Sequence, residues 1–374
     1  MPTEEQVRAA LRTVMDPEIG RPIEDIGMLK SIAVDAGAVR VDVLLTIEGC
    51  PLKDRITTDV TAAVQPLEGV ERVDVRLTPM SEGERAALVQ QLRGPGASPD
   101  GGGQQPAAIK FDESTSVIAI ASGKGGVGKS SVTVNLAAAL AADGAKVGVL
   151  DADVWGFSVP RMMGVTGKPV GFNDMILPLE AHGVKVISMG FFVPEETPVI
   201  WRGPMLHKAI EQFLGDVYWG DLDFLLCDLP PGTGDVSISL ASFLPGASML
   251  VVTTPQEAAR KVAERAGKMA ERTNLRPLGV IENMSYYLCP HCGERDEIFG
   301  SGGGAEAAAT LGVPLMAQVP LLPALREGGD SGVPIVLSQP DAAASVALRE
   351  AADGVRQATK SKVGKPLTLM TNPA

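Results

Sequence analysis

Two hydrophobic rhythms divide the chain. Near its start, Val7, Leu11 and Val14 fall on one helical face, and Thr3 with Gln6 has the spacing of a capping box at the helix entrance. Val39, Val41, Val43, Leu45 and Ile47 then alternate with Arg40, Asp42 and Thr46, with Leu44 as the exception, which predicts a half-buried strand. Leu52, Ile56 and Val60 return to helical spacing. This mixture predicts a small α+β domain over residues 1–93. Beyond it the apolar positions come in short continuous runs, at 117–121, 146–150, 224–227, 249–253 and 278–281, separated by helical stretches. Runs of that kind predict buried strands of a mostly parallel, doubly wound α/β sheet in a domain spanning 108–360. Ligands bind such sheets outside the carboxyl ends of the strands, so the strand exits are where chemistry is expected.

Between the two rhythms lies GPGASPDGGGQQPA, residues 94–107, without a large apolar side chain. It predicts a flexible linker with a root-mean-square reach of about 20 Å. Residues 361–374 read as a loose tail. The uncharged stretch 236–256 is broken by Pro245 and Gly246 and reads as helix, turn and buried strand, not as a membrane span.

Composition narrows the partners. Hydrophobic residues make up 45% and charged residues 21% of 374, enough for a folded core. The net charge of −12 disfavours nucleic acid or an anionic membrane as a binding partner. Glu4 and Glu5 stand where an export signal would carry positive charge, and four cysteines at 50, 227, 289 and 292 are too few and too uneven for a disulfide framework. Both observations predict a cytoplasmic protein. Glycine is abundant, 42 residues, which directs attention to the loops.

The run at 117–121 leads straight into Gly123-Lys124-Gly125-Gly126-Val127-Gly128-Lys129-Ser130-Ser131, which matches G-x-x-x-x-G-K-[ST] in the strand, loop, helix context it needs. The glycines let backbone N–H groups turn toward phosphate oxygens, Lys129 neutralises β and γ charge, and the Ser130 hydroxyl reaches Mg²⁺. Residues 224–228 form an apolar run closing on Asp228, the candidate Walker B carboxylate. The loop Gly232-Thr233-Gly234-Asp235 that follows is a candidate γ-phosphate switch. The extra lysine at 124 resembles the deviant P-loop of the MinD, ParA and nitrogenase iron protein class. In that class this lysine reaches across a nucleotide-sandwich homodimer to the phosphates of the other subunit. The same resemblance implies a hydrolytic role for Asp153, a place near Mg²⁺ for Asp151, and an adenine contact for Asn283.

Cys289-Pro290-His291-Cys292 poses a separate question. Two thiolates at C-x-x-C spacing can share a metal or a cluster, but a four-coordinate site needs two more ligands. Two copies meeting on a two-fold axis would supply them. A zinc knuckle completed by His291 or Cys227, and a redox pair, are the other readings; the redox reading lacks its usual place after the first strand of a thioredoxin unit. Cys227, inside an apolar run, reads as a small hydrophobe, and Cys50 as a lone cysteine before a helix.

Taken in order, GKGGVGKSS, DADVWGFS, DLPPGTGD, ENMS and CPHC closely resemble the Mrp/ApbC iron-sulfur cluster carriers across the second domain. Asp16-Pro17-Glu18, Ile26-Gly27-Met28-Leu29 and Gly49-Cys50-Pro51 are similar to the small iron-sulfur assembly factor domain fused in front of bacterial members. The resemblance implies an ATPase homodimer that binds ATP and Mg²⁺, holds a [4Fe-4S] cluster at Cys289 and Cys292, and exchanges it with scaffold proteins and apoproteins. The competing function is a positioning ATPase of the MinD or ParA kind, with a structural or redox cysteine pair. Residues 342–362, helical in character, lack the basic amphipathic face that such an anchor uses.

Overall fold

The computed structural model describes residues 2–360 apart from 18, 36, 46–52, 82, 85–86, 89–91, 93–110, 113, 154–155, 173–174, 193–202, 233–234, 245, 257–258 and 290. The expected linker, the tail, Cys50 and the centre of the candidate switch loop lie outside the described residues.

Two compact units emerge, the first comprising residues 1–105 with 170–178 and 216–220. Its opening helix, Glu4–Leu11, carries the anticipated capping box: the Gln6 N–H donates to Thr3 Oγ1 at 3.2 Å and the Thr3 N–H donates to Gln6 Oε1 at 2.8 Å. A three-stranded sheet follows in the order Leu29–Asp35, Ala38–Leu45, Arg72–Pro79, the first pair antiparallel and the second parallel. Helix Lys53–Val64 turns Ile56, Val60 and Val64 inward onto Val39, Val41 and Val43, so both rhythms of this unit end in one core. Asp16 is buried, and its Oδ1 accepts the Ile19 N–H at 2.8 Å, so this residue of the Asp-Pro-Glu motif locks a turn.

The second unit, residues 106–169, 179–215 and 221–374, is built on a nine-stranded sheet. Spatially the strands run Arg295–Asp296, Arg276–Leu288, Ser248–Thr253, Ser116–Ala121, Phe224–Asp228, Val147–Asp151, Val184–Ser188, Leu179–Ala181, with Leu315–Leu321 also paired to Arg276–Leu288. All pairings are parallel except the two edges made by Arg295–Asp296 and Leu179–Ala181. Early strands build to one side of Ser116–Ala121; the chain then crosses to Ser248–Thr253 and builds to the other. The strand that feeds the phosphate loop thus stands at the reversal point, where doubly wound folds open a crevice.

Helix Lys129–Ala142 follows that loop. Its alanine-rich run, VNLAAALAA, is buried on almost every side, because it lies in the core shared by the sheet and by helices Ile335–Ser338 and Ala343–Lys360. Burial on all faces fixes the helix axis, and with it the direction in which its first N–H groups point. The stretch 236–256 resolves into helix Asp235–Phe243 and strand Ser248–Thr253, and among the described residues no helix is long and apolar enough to cross a membrane.

Candidate functional site

Three strand ends meet the start of helix Lys129–Ala142. Gly128 precedes it with φ +78°, a left-handed conformation, and the space a Cβ would need there is occupied by Asn283 Nδ2. Backbone angle and packing therefore both demand glycine. Gly126, at φ +76°, has the same backbone requirement.

Lys129 is only 6% exposed, and its Nζ lies 2.7 Å from Asp228 Oδ2. Asp228, fully buried at the end of its strand, also accepts from Ser130 Oγ at 2.6 Å and from Thr133 Oγ1 at 2.7 Å. One carboxylate thus gathers the loop lysine, the first helical serine and a threonine one turn further on. Asp151 is the register partner of Asp228 on the neighbouring strand and is equally buried. Burial, followed by the charge of Asp228, pushes its carboxyl well above the usual range. It accepts from Ser188 Oγ at 2.9 Å and from the Asp153 N–H at 3.2 Å. Asp153 is buried too, and its Oδ1 accepts the Gly156 N–H at 3.1 Å. The Ser130 hydroxyl is given to Asp228. Ser130 Oγ and the Asp228 carboxylate offer the hard oxygen donors that suit Mg²⁺.

Asn283 joins the phosphate loop to the long strand Arg276–Leu288. Its Nδ2 donates to the Val127 carbonyl at 2.8 Å, while its buried Oδ1 has no partner among the described residues. A cavity of about 330 Å³ opens here, lined by Gly128, Ser131, Met162, Asn283 and Leu325 among others. Lys124 points elsewhere: its Nζ donates to Gln256 Oε1, which also accepts from Thr254 Oγ1 at 3.3 Å.

The cysteine pair sits at the tip of a hairpin. Tyr287 and Leu288 at the end of the long strand pair with Asp296 and Arg295, so the chain reverses between Leu288 and Arg295. The Cys289 N–H donates to the Glu294 carbonyl at 3.0 Å and the Gly293 N–H to the Cys289 carbonyl at 2.8 Å, with Gly293 at φ +74°. Both thiols are free, Cys289 half-buried and Cys292 exposed. The backbone N–H groups of Cys292 and then His291 favour the Cys289 thiolate and hold its pKa below that of an ordinary thiol. At the hairpin base the Arg295 guanidinium lies 4.0 Å over the Tyr286 ring. Among the described residues no group of three or more His, Cys, Asp or Glu is placed to hold a metal ion. Cys227 is buried inside the strand that ends at Asp228, and burial drives its thiol pKa up.

Sequence reasoning brought Lys129, Ser130, Asp228 and Asn283 to one place. It missed Thr133, whose only signal was its position one helical turn after Lys129, and Gln256, which carried none.

Comparison with known proteins agrees with these features. Residues 113–356 match the family described as NUBPL iron-transfer P-loop NTPase, and residues 4–75 match the family described as iron-sulfur cluster assembly protein. A protein of Mycobacterium tuberculosis (strain H37Rv) named iron-sulfur cluster carrier protein is 53% identical over 370 residues, covering 97% of this chain and 96% of its own. A protein of the same name from Synechocystis is 42% identical over 354 residues, covering 93% of this chain and 95% of its own. A nucleotide-binding protein from Archaeoglobus fulgidus, solved in complex with ADP, is 39% identical with a TM-score of 0.53, over 59% of this chain and 87% of that one. A mostly parallel sheet ending in a P-loop, a cysteine hairpin and full-length relatives of one kind converge: the chain belongs to the NUBPL iron-transfer P-loop NTPase family, with an iron-sulfur cluster assembly domain in front of it.

Proposed function

We propose that the protein is an ATP-hydrolysing iron-sulfur cluster carrier: two copies hold one [4Fe-4S] cluster between their Cys289–Cys292 hairpins and pass it to apoproteins. The observation that carries this reading is a hairpin offering two free thiols, one biased toward thiolate, with no third ligand group among the described residues. Two thiolates from each of two chains complete the Cys₄ set of such a cluster. The relatives named as carriers support the same cargo.

ATP binding starts from a loop already ordered by substitutes. Lys129 is held by Asp228, so incoming β- and γ-phosphates compete for the lysine and free the carboxylate. Ser130 and Asp228 would hold Mg²⁺, with Asp151 behind them, and the ion would neutralise phosphate charge. Gly123 to Gly128 direct N–H groups to the phosphates, and Ser131 lines the cavity next to them. The unpartnered Asn283 Oδ1 accepts from the exocyclic amine of adenine, which a guanine carbonyl cannot replace. Asp153 orients the attacking water. Lys124 leaves Gln256 to reach the phosphates of the second copy, so dimer formation and nucleotide occupancy are linked. In this reading residues 1–93 form the assembly factor-like domain, 94–107 the linker, 108–360 the ATPase and 361–374 a tail. The protein works in the cytoplasm, with scaffold proteins and apoproteins as partners and neither nucleic acid nor membrane.

The test is iron uptake after anaerobic incubation with iron and sulfide. Cys289→Ala and Cys292→Ala are each expected to lose the cluster and keep nucleotide binding. A full cluster retained in either variant contradicts the bridging arrangement.

A further inference from the structure

One buried side chain is bonded to residues on both sides of the segment that carries the two cysteines. Glu282 lies within the long strand Arg276–Leu288 with no solvent exposure. Its carboxylate accepts from Ser285 Oγ at 2.6 Å and Gln318 Nε2 at 2.8 Å on Oε1, and from the Gly304 N–H at 2.5 Å on Oε2. Ser285 lies in the same strand, shortly before its end at Leu288 and the hairpin. Between the two, Met284 adopts φ +54°, and the register with Leu315–Leu321 slips between Asn283 and Tyr287, so the Ser285 bond spans a bulge. Gly304 lies beyond the hairpin, in the first turn of helix Gly303–Leu311, whose N-cap Gly302 has no side chain to offer. Glu282 therefore caps that helix from the strand it packs on, where its oxygen meets an N–H that has no partner within the helix. A Cβ on Gly304 would come within 2.6 Å of Glu282 Cβ, so this close approach itself requires glycine.

The residues on either side of the segment 286–303, which holds the end of this strand and the cysteine hairpin, are thus tied to one carboxylate. The next residue, Asn283, is tied to the phosphate loop through Val127. A displacement of the loop on filling with nucleotide acts on Asn283 and, one peptide away, on the base of the hairpin. A buried group with three good hydrogen bonds does not absorb such a displacement by sliding, because losing any one of them leaves a polar atom unsatisfied. We propose that Glu282 is the positioning residue that couples nucleotide occupancy of the phosphate loop to the geometry of the Cys289–Cys292 hairpin. The proposal rests on the reading that those thiols hold the cluster, and it assigns the nucleotide a mechanical route to them.

The experiment uses the iron-free full chain. Hydrogen exchange of residues 123–131 and 286–302 is followed with and without AMP-PNP and magnesium in the parent, Glu282→Gln and Ser285→Ala. Gln substitutes an N–H donor for one acceptor oxygen facing these donors; Ser285→Ala removes a single bond and serves if the first variant is poorly folded. In the parent, nucleotide is expected to slow exchange in both segments. In the variants the response at 123–131 and the AMP-PNP affinity should persist, while the response at 286–302 should shrink by about tenfold, the equivalent of one charge-assisted hydrogen bond. Hairpin exchange that ignores nucleotide in the parent, or a response retained in both variants, overturns the coupling. So does faster hairpin exchange that is equal with and without nucleotide, which is what a merely structural role would give. Failure of the parent to take up iron at the cysteines would instead count against the carrier reading.

Discussion

The phosphate loop and the cysteine hairpin solve opposite problems. Around the loop, Lys129, Ser130 and Thr133 converge on the buried Asp228 carboxylate, while Lys124 points away to Gln256. The hairpin presents two free thiols, Cys292 exposed and Cys289 half-buried with backbone N–H groups favouring its thiolate. One site takes its groups, Lys124 apart, from a single chain and holds them in place with its own residues; the other is half of something. A site that must close around a nucleotide benefits from preorganisation, whereas a site that must release its cargo benefits from exposure and incompleteness.

Substitutions should divide along the same line, with stability effects at the loop and chemical effects at the hairpin. Lys129→Ala leaves Asp228 buried without its cation and is expected to cost about 3–5 kcal/mol of stability and to abolish ATP binding, read by chemical denaturation and calorimetry. Iron uptake of whatever folds should be retained. Gly128→Ala forces a Cβ into a left-handed conformation against Asn283, and a loss of about 2 kcal/mol or more with loss of nucleotide binding is expected. Thr133→Val removes one hydrogen bond to Asp228, for about 1–2 kcal/mol and a modest fall in ATP affinity. Cys227→Ala opens a small void in a strand at a cost of about 1 kcal/mol and should leave iron content untouched, separating a packed thiol from a ligand. Cys292→Ala, at an exposed turn, should not shift the melting temperature measurably, yet remove the cluster. A large stability loss at Cys292, or none at Lys129, would erase the contrast.

The same contrast explains what could be read in advance. The loop residues are contiguous and sit in a strand, loop, helix context, so spacing alone locates them. Asp228 and Asp151 could be found because each closes an apolar run. Thr133 could not, because its partner lies on a strand 95 residues away and only the packing of its helix decides which face meets it. The strand at 278–281 proved to run from Arg276 to Leu288. Glu282, Asn283 and Ser285 break its apolar pattern although all three are buried, since their polar atoms are satisfied by residues distant in sequence or held for a ligand. In the first unit the strands Leu29–Asp35 and Arg72–Pro79 escaped notice for the opposite reason: they flank the central strand and are partly exposed, with charges that mask the alternation.

The central claim is that the hairpin is half a site. Iron and sulfide per chain, measured with the solution mass after anaerobic reconstitution, test it most directly. A dimer with about two irons per chain, reduced to none by Cys289→Ala, is the predicted result for one shared [4Fe-4S] cluster. A monomer holding a full cluster, or a chain that takes tight zinc and no iron, would contradict it.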